Sequence, residues 1–304
     1  MKIKSILFIM LLISASAPLY PQHDDDKTTE NSAKYLMLSS GLNNPVYRDF
    51  ATSPLYYNGT GLSVSAAFAY EKGIWAHLVE LETNINMFAA NAPASKYFQT
   101  YSYASLFCIN AYYHCLRDIR SAGTERISLE LGGAMLFTQN LRVNQNLMNA
   151  GSGLESFANL MAAGKLSFDI SRTRPKTHKL LPFLDLIFQP VDRELSFQAN
   201  VGLLNLNRRP GYAYVYVSEV DGVQTNPVTW VNNPYTWSLN GWRLSARIEL
   251  SRYWPNGNGR KLAYHWDAVH APGKFEAFQM ASHRLQYTLI INHKRPSPVT
   301  IKFK

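Results

Sequence analysis

The feature that most constrains this chain is a period of two. In "HLVELETNIN", His77, Val79, Leu81, Thr83 and Ile85 fall on one side of an extended backbone, and Leu78, Glu80, Glu82, Asn84 and Asn86 fall on the other. That spacing makes a β-strand with one oily and one polar face. The pattern recurs in "GLSVSAAFAY" from Gly61, "TYSYASLFCINAYYH" from Thr100, "ISLELGGAMLF" from Ile127 and "LMAAGKLSFDI" from Leu160. It returns in "LSFQANVGL" from Leu195, "WRLSARIEL" from Trp242, "LAYHW" from Leu262 and "RLQYTLII" from Arg284. With a weaker first strand, "KYLMLSSGL" from Lys34, the sequence predicts about ten strands and no convincing helix between most of them. Several reach the roughly 10 residues that cross a bilayer when tilted, where soluble strands average nearer five or six.

The N-terminus says where such a chain goes. "MKIKSILFIMLLISASA" has Lys2 and Lys4, an apolar run from Ile6 to Ile13, and small residues at Ala15 and Ala17. These are the three regions of a secretory signal peptide. Cleavage is expected between residues 17 and 22, so residues 1–22 form the signal and 23–32 a polar linker. The apolar run is far shorter than the roughly 20 residues of a membrane-spanning helix. Strands must therefore make any crossing by the mature chain. Loss of Lys2 and Lys4 takes the formal charge from +9 to +7. On an exported protein that charge points to outer-membrane lipid and lipopolysaccharide, not to nucleic acid. Cys108 and Cys115 are seven residues apart in one strand, so they face opposite sides and cannot form a disulfide with each other.

Connections alternate in length. Short turns, "YEKGIW", "RSAGTE" and "WPNGNG", lie between longer segments at 43–60, 89–97, 139–159, 208–240 and 270–277. Short turns on one rim and long loops on the other are the habit of transmembrane barrels. The stretch 172–193, on the short-turn side, is either an extended hairpin or a piece lying at the membrane interface. "RRPGYAYVYV" from Arg208 suggests strands prolonged into a surface hairpin. The oily faces end in Tyr70, Trp75, Trp242 and Trp266, as an interfacial girdle would. The opposite faces carry charge that a water-free core would not tolerate. We therefore expect an all-β fold: an antiparallel transmembrane β-barrel of 10–12 strands over residues 33–294, oil outward, with a short tail at 295–304. Its address would be the bacterial outer membrane.

With its signal segment, its strands and "NNPVYRDFATSPLYYNGTG" from Asn43, the chain resembles uncharacterised outer-membrane β-barrel proteins of the Bacteroidota type. The resemblance covers most of the mature chain and is one of pattern. It implies a fold and a location and supplies no activity. The sequence departs from the usual ending of such barrels, because "NHKRPSPVTIKFK" follows the last strand.

Parity assigns Glu80, Glu82, Glu130, Lys165, Asp169, Arg243, Arg247, Glu249 and Arg284 to the lumen. Acids come mostly from early strands and bases mostly from late ones, so ion pairs are expected across a narrow barrel. The leading functional expectation is a non-enzymatic barrel: a structural or adaptor component that contacts another envelope protein, or a narrow porin-like channel for small polar solutes. The alternative is an outer-rim hydrolase acting on lipid A, phospholipid or peptide, with His265 as base and Asp267 as its orienter. No nucleophile motif accompanies them. No cofactor is expected, and His114, His265 and Asp267 are too scattered for a metal site.

Overall fold

The structure is a computed structural model describing residues 32–50, 53, 55–91, 101–119, 126–144, 152–181, 184–188, 190–210, 235–272 and 277–294. The expected signal peptide, the C-terminal tail and the Tyr212 stretch lie outside the described residues. The strands are β1 (Ser32–Asp49), β2 (Tyr57–Lys72), β3 (Trp75–Asn91), β4 (Tyr101–Asp118), β5 (Ile127–Val143) and β6 (Ser152–Asp169). They continue as β7 (Lys176–Leu181), β8 (Leu184–Phe188), β9 (Asp192–Pro210), β10 (Tyr235–Leu239), β11 (Trp242–Tyr253), β12 (Gly259–Pro272) and β13 (Ala277–Lys294). The described residues contain no helix.

Ten strands form a closed antiparallel barrel. The hydrogen-bonded order is β9-β11-β12-β13-β1-β2-β3-β4-β5-β6, and pairing of β6 with β9 closes the ring. The first and last strands join along their length, from Lys34 opposite Lys294 to Asp49 opposite Phe278. Closure leaves no row of unpaired backbone donors and acceptors along the barrel wall.

Parity decides which side of the wall each residue meets. Met87 is 72% exposed, whereas its neighbours Asn86 and Phe88 are 0% and 3% exposed. Val79, Leu81, Ile248, Leu285 and Leu289 likewise project outward, and Leu129 and Leu244 are half-buried. Ser63, Ser65, Glu80, Glu82, Asn84 and Asn110 are enclosed. A water-soluble barrel has the opposite arrangement.

The strands are longer than the alternation alone suggests, and the expected long segments shrink accordingly. The stretch from Asn43 is not a loop through its first half: β1 runs on to Asp49, with Asn43, Pro45, Tyr47 and Asp49 facing in. The ladder to β2 skips Asn44 and Pro45, while pairing to β13 continues through Ser282 opposite Pro45. A proline has no N–H to give a ladder, so the interruption falls where the chemistry requires it. The 172–193 stretch resolves as a hairpin of β7 and β8, clamped at its base by a bridge between Arg172 and Val191. On the same rim, β2 turns into β3 through Gly73 at a φ of 64°, a backbone shape that glycine adopts freely.

One irregularity sets the faces of β9. Leu160 pairs with Leu204 and Met161 with Gly202, so Leu203 is an extra residue in the wall. Leu203 and Leu204 both point outward, and the parity switches after them, turning Asn205, Asn207 and Arg209 inside. A bulge is the device that re-aims side chains in this way.

Candidate functional site

The inward side chains fill the barrel in tiers. At the rim of the short turns lies a cavity of about 350 Å³, lined by Glu130, Lys165, Glu194, Gln198, Glu249 and Lys261 among others. Lys165 Nζ stands 3.3 Å from Glu130 and 3.9 Å from Glu194. Lys261 Nζ is 2.9 Å from Glu249.

Deeper in, Arg247 joins three groups. Its guanidinium is 3.0 Å from Glu80 and 3.5 Å from Glu249, and its Nε donates to His265 Nδ1 at 3.1 Å. Ser65 donates to Glu80 at 2.8 Å. The next tier is centred on Glu82, which pairs with Arg284 and accepts from Asn84 and Asn110, each at 2.8 Å, and from Gln286 at 3.1 Å. Alongside it Arg243 grips Asp267 with two nitrogens, at 3.0 and 2.7 Å, and donates to Thr138 at 2.8 Å. Such a two-pronged, charge-assisted contact is the strong and geometrically specific form of arginine–carboxylate pairing. Between these groups only about 20 Å³ of free volume remains.

Above the polar tiers the composition changes abruptly. Tyr47 stacks on Tyr57 with centroids 4.8 Å apart, and Phe88 meets Tyr47 edge-on at 4.7 Å. Phe278 lies 6.1 Å from Tyr47 and 5.7 Å from Phe157. Ala90, Ala104, Leu106, Val269 and Ala271 complete this apolar tier. On its loop side Asp49 receives Arg142 at 2.7 Å and Arg209 at 2.9 Å, and Arg142 also reaches Glu155 at 3.3 Å. All four are at most 3% exposed, a charge-balanced set held out of water.

The lumen list thus divides. Glu80, Glu82, Arg243, Arg247, Glu249 and Arg284 meet inside, and Glu130 and Lys165 pair beside the turn-side cavity. Asp169 does not line the lumen: it is exposed at the rim and accepts from the Ser171 N–H at 2.8 Å. Asp267 does not orient His265, because it is engaged by Arg243 while His265 faces Arg247. The two side chains share a face but not a hydrogen bond. Among the described residues no hydroxyl, thiol or carboxylate hydrogen-bonds to His265, and no group of three potential ligands could hold a metal. Cys108 is buried, Cys115 half-exposed, and both are free.

Sequence parity missed Asp49, Arg142, Glu155 and Arg209. All four lie in the longer segments 43–60, 139–159 and 208–240, and Arg209 faces inward because of the Leu203 bulge. The inward rhythm of Asn43, Pro45, Tyr47 and Asp49 was the available signal for β1.

No family model and no curated protein sequence matches the chain. Solved structures similar to it are bacterial outer-membrane barrels. The outer-membrane protease OmpT from Escherichia coli matches at 7% identity and a TM-score of 0.48, covering 89% of this chain and 99% of that one. Neisserial surface protein A matches at 8% identity and a TM-score of 0.34, covering 86% and 99%. The attachment invasion locus protein Ail of Yersinia pestis matches at 8% identity and a TM-score of 0.27, covering 84% and 98%. At these identities the likeness assigns no residue a role.

Proposed function

We propose that this chain is an exported bacterial outer-membrane protein whose barrel acts without catalysis, as a structural or adaptor component. One observation carries the reading: the apolar face points outward while the interior is filled by hydrogen-bonded ion pairs and closed by an aromatic tier. An outward apolar belt on a closed barrel suits hydrocarbon. A filled interior does not suit passage of solutes, and carboxylates held by guanidinium groups are not free to act as bases. The signal segment at 1–22 supports export, and the strands of 16–18 residues in β1 to β6 exceed the roughly 10 a bilayer needs. The surplus on β1 and β2 carries outward Asn44, Asn58 and Thr60 beyond the apolar belt, a raised wall suited to contact with another envelope protein.

Purified protein in planar bilayers tests the reading. We expect heat-modifiable gel mobility, insertion, and no steady conductance. Steady current reduced by bulky substitutions at Glu82 or Arg247 would restore the channel alternative. Lipid or peptide turnover lost in His265→Ala would restore the hydrolase.

A further inference from the structure

Three arginines stand side by side on the outer wall. Arg252 of β11 is directly opposite Arg193 of β9 on one side and Arg260 of β12 on the other. All three have outward parity, with Arg193 and Arg260 exposed and Arg252 half-buried. Two residues further into the wall, the same strands present Leu195, Leu250 and Leu262, also in register, at 38%, 45% and 48% exposure. Trp254 projects at the rim beside them, 39% exposed. A row of three guanidinium groups therefore borders the apolar belt at the short-turn rim.

Like charges directly opposite on neighbouring strands repel. The glutamates nearest the row do not relieve it, because they alternate onto the other face, and the exposed Asp169 and Asp192 of this rim form no ion pair with it. Glu194 turns in to Lys165, and Glu249 to Lys261 and Arg247. Among the described residues no carboxylate pairs with Arg193, Arg252 or Arg260, and the buried Nε of Arg252 has no hydrogen-bond partner. Further outward cations sit at the same rim, Lys34 over the Tyr70 ring at 5.5 Å and Arg117 over the Trp75 ring at 5.9 Å.

We propose that the Arg193–Arg252–Arg260 row binds the phosphate headgroup of an anionic phospholipid in the leaflet that meets the short turns. This rests on the membrane reading above and adds a ligand and a leaflet to it. Strands about 4.8 Å apart place the three side chains across roughly 10 Å, enough to flank a lipid phosphate with planar donors. The leucine row receives the acyl chains, and Trp254 sits at the depth where indole rings favour the interface.

The full chain is reconstituted into phosphatidylcholine vesicles with and without phosphatidylglycerol, and the lipid retained after mild detergent extraction is measured by mass spectrometry. Wild type should retain phosphatidylglycerol preferentially. Each Arg→Gln change should weaken retention about fivefold, and Arg117→Gln, outside the row, should not. If the triple variant fails to fold, Arg260→Gln alone gives the same reading at an exposed position. Equal retention by wild type and variants would overturn the proposal. So would displacement of the lipid by inorganic phosphate, which marks a free-anion site, or a preference for lipid A over phosphatidylglycerol. A protein that enters neither vesicle would overturn the membrane reading as well, whereas insertion without lipid preference overturns only this one.

Discussion

Arg247 and Ile248 are neighbours with opposite surroundings, and they show what a single position costs. By parity alone, Ile248→Arg should impair assembly more than Arg247→Ile, because a charge on the lipid face costs roughly 2–4 kcal/mol near mid-membrane. The contacts of Arg247 change that order. Glu249 keeps Lys261 when Arg247 is removed, but Glu80, 5% exposed, keeps only Ser65. Stranding a buried charge costs about 3–5 kcal/mol, so Arg247→Ile should destabilise at least as much as Ile248→Arg. Adding Glu80→Gln should recover most of the loss, as read from the denaturant midpoint of the heat-modifiable form. A double variant no better than Arg247→Ile would show that the pair does not carry the effect. Parity in the sequence puts Arg247 and Ile248 on opposite faces. It could not show which buried groups would meet: Glu80 and Arg247 are separated by 167 residues, a distance that only ring closure removes.

At the level of the strand, Leu203 determines the fate of everything after it in β9. Deleting it would shift the outer half by one residue and turn Asn205, Asn207 and Arg209 toward the apolar side, taking Arg209 away from Asp49. We expect that deletion to abolish the heat-modifiable form, while Leu203→Ala, which keeps the count, should cost about 1 kcal/mol or less at so exposed a site. Equal behaviour of the two would mean that the bulge does not set the faces. Strand existence was legible wherever oily and polar residues alternated cleanly. Strand ends were not, because beyond the belt both faces become polar and the period fades. In β1 a proline on the inward face added to the concealment. The β7–β8 hairpin was ambiguous for a related reason: it pairs only with itself, so the barrel's rhythm never reaches it.

Taken whole, the barrel has an interior that is closed at one end. Its turn-side cavity is continuous with that rim, while Tyr47, Tyr57, Phe88, Phe157 and Phe278 close the other end of the lumen. The sequence indicated a polar lining but not this septum, since aromatic residues with inward parity look no different in the chain from aromatic residues at an interface. The consequence is a sidedness of access. Among its described residues the barrel is a blind well, and its floor answers to one compartment alone. An impermeant amine reagent added to oriented vesicles should modify Lys165 from the turn side and leave it untouched from the loop side, whatever the loops do. Equal labelling from both sides would mean that the septum leaks. With the septum intact, the charged groups that line the turn-side cavity meet solution from the turn side alone.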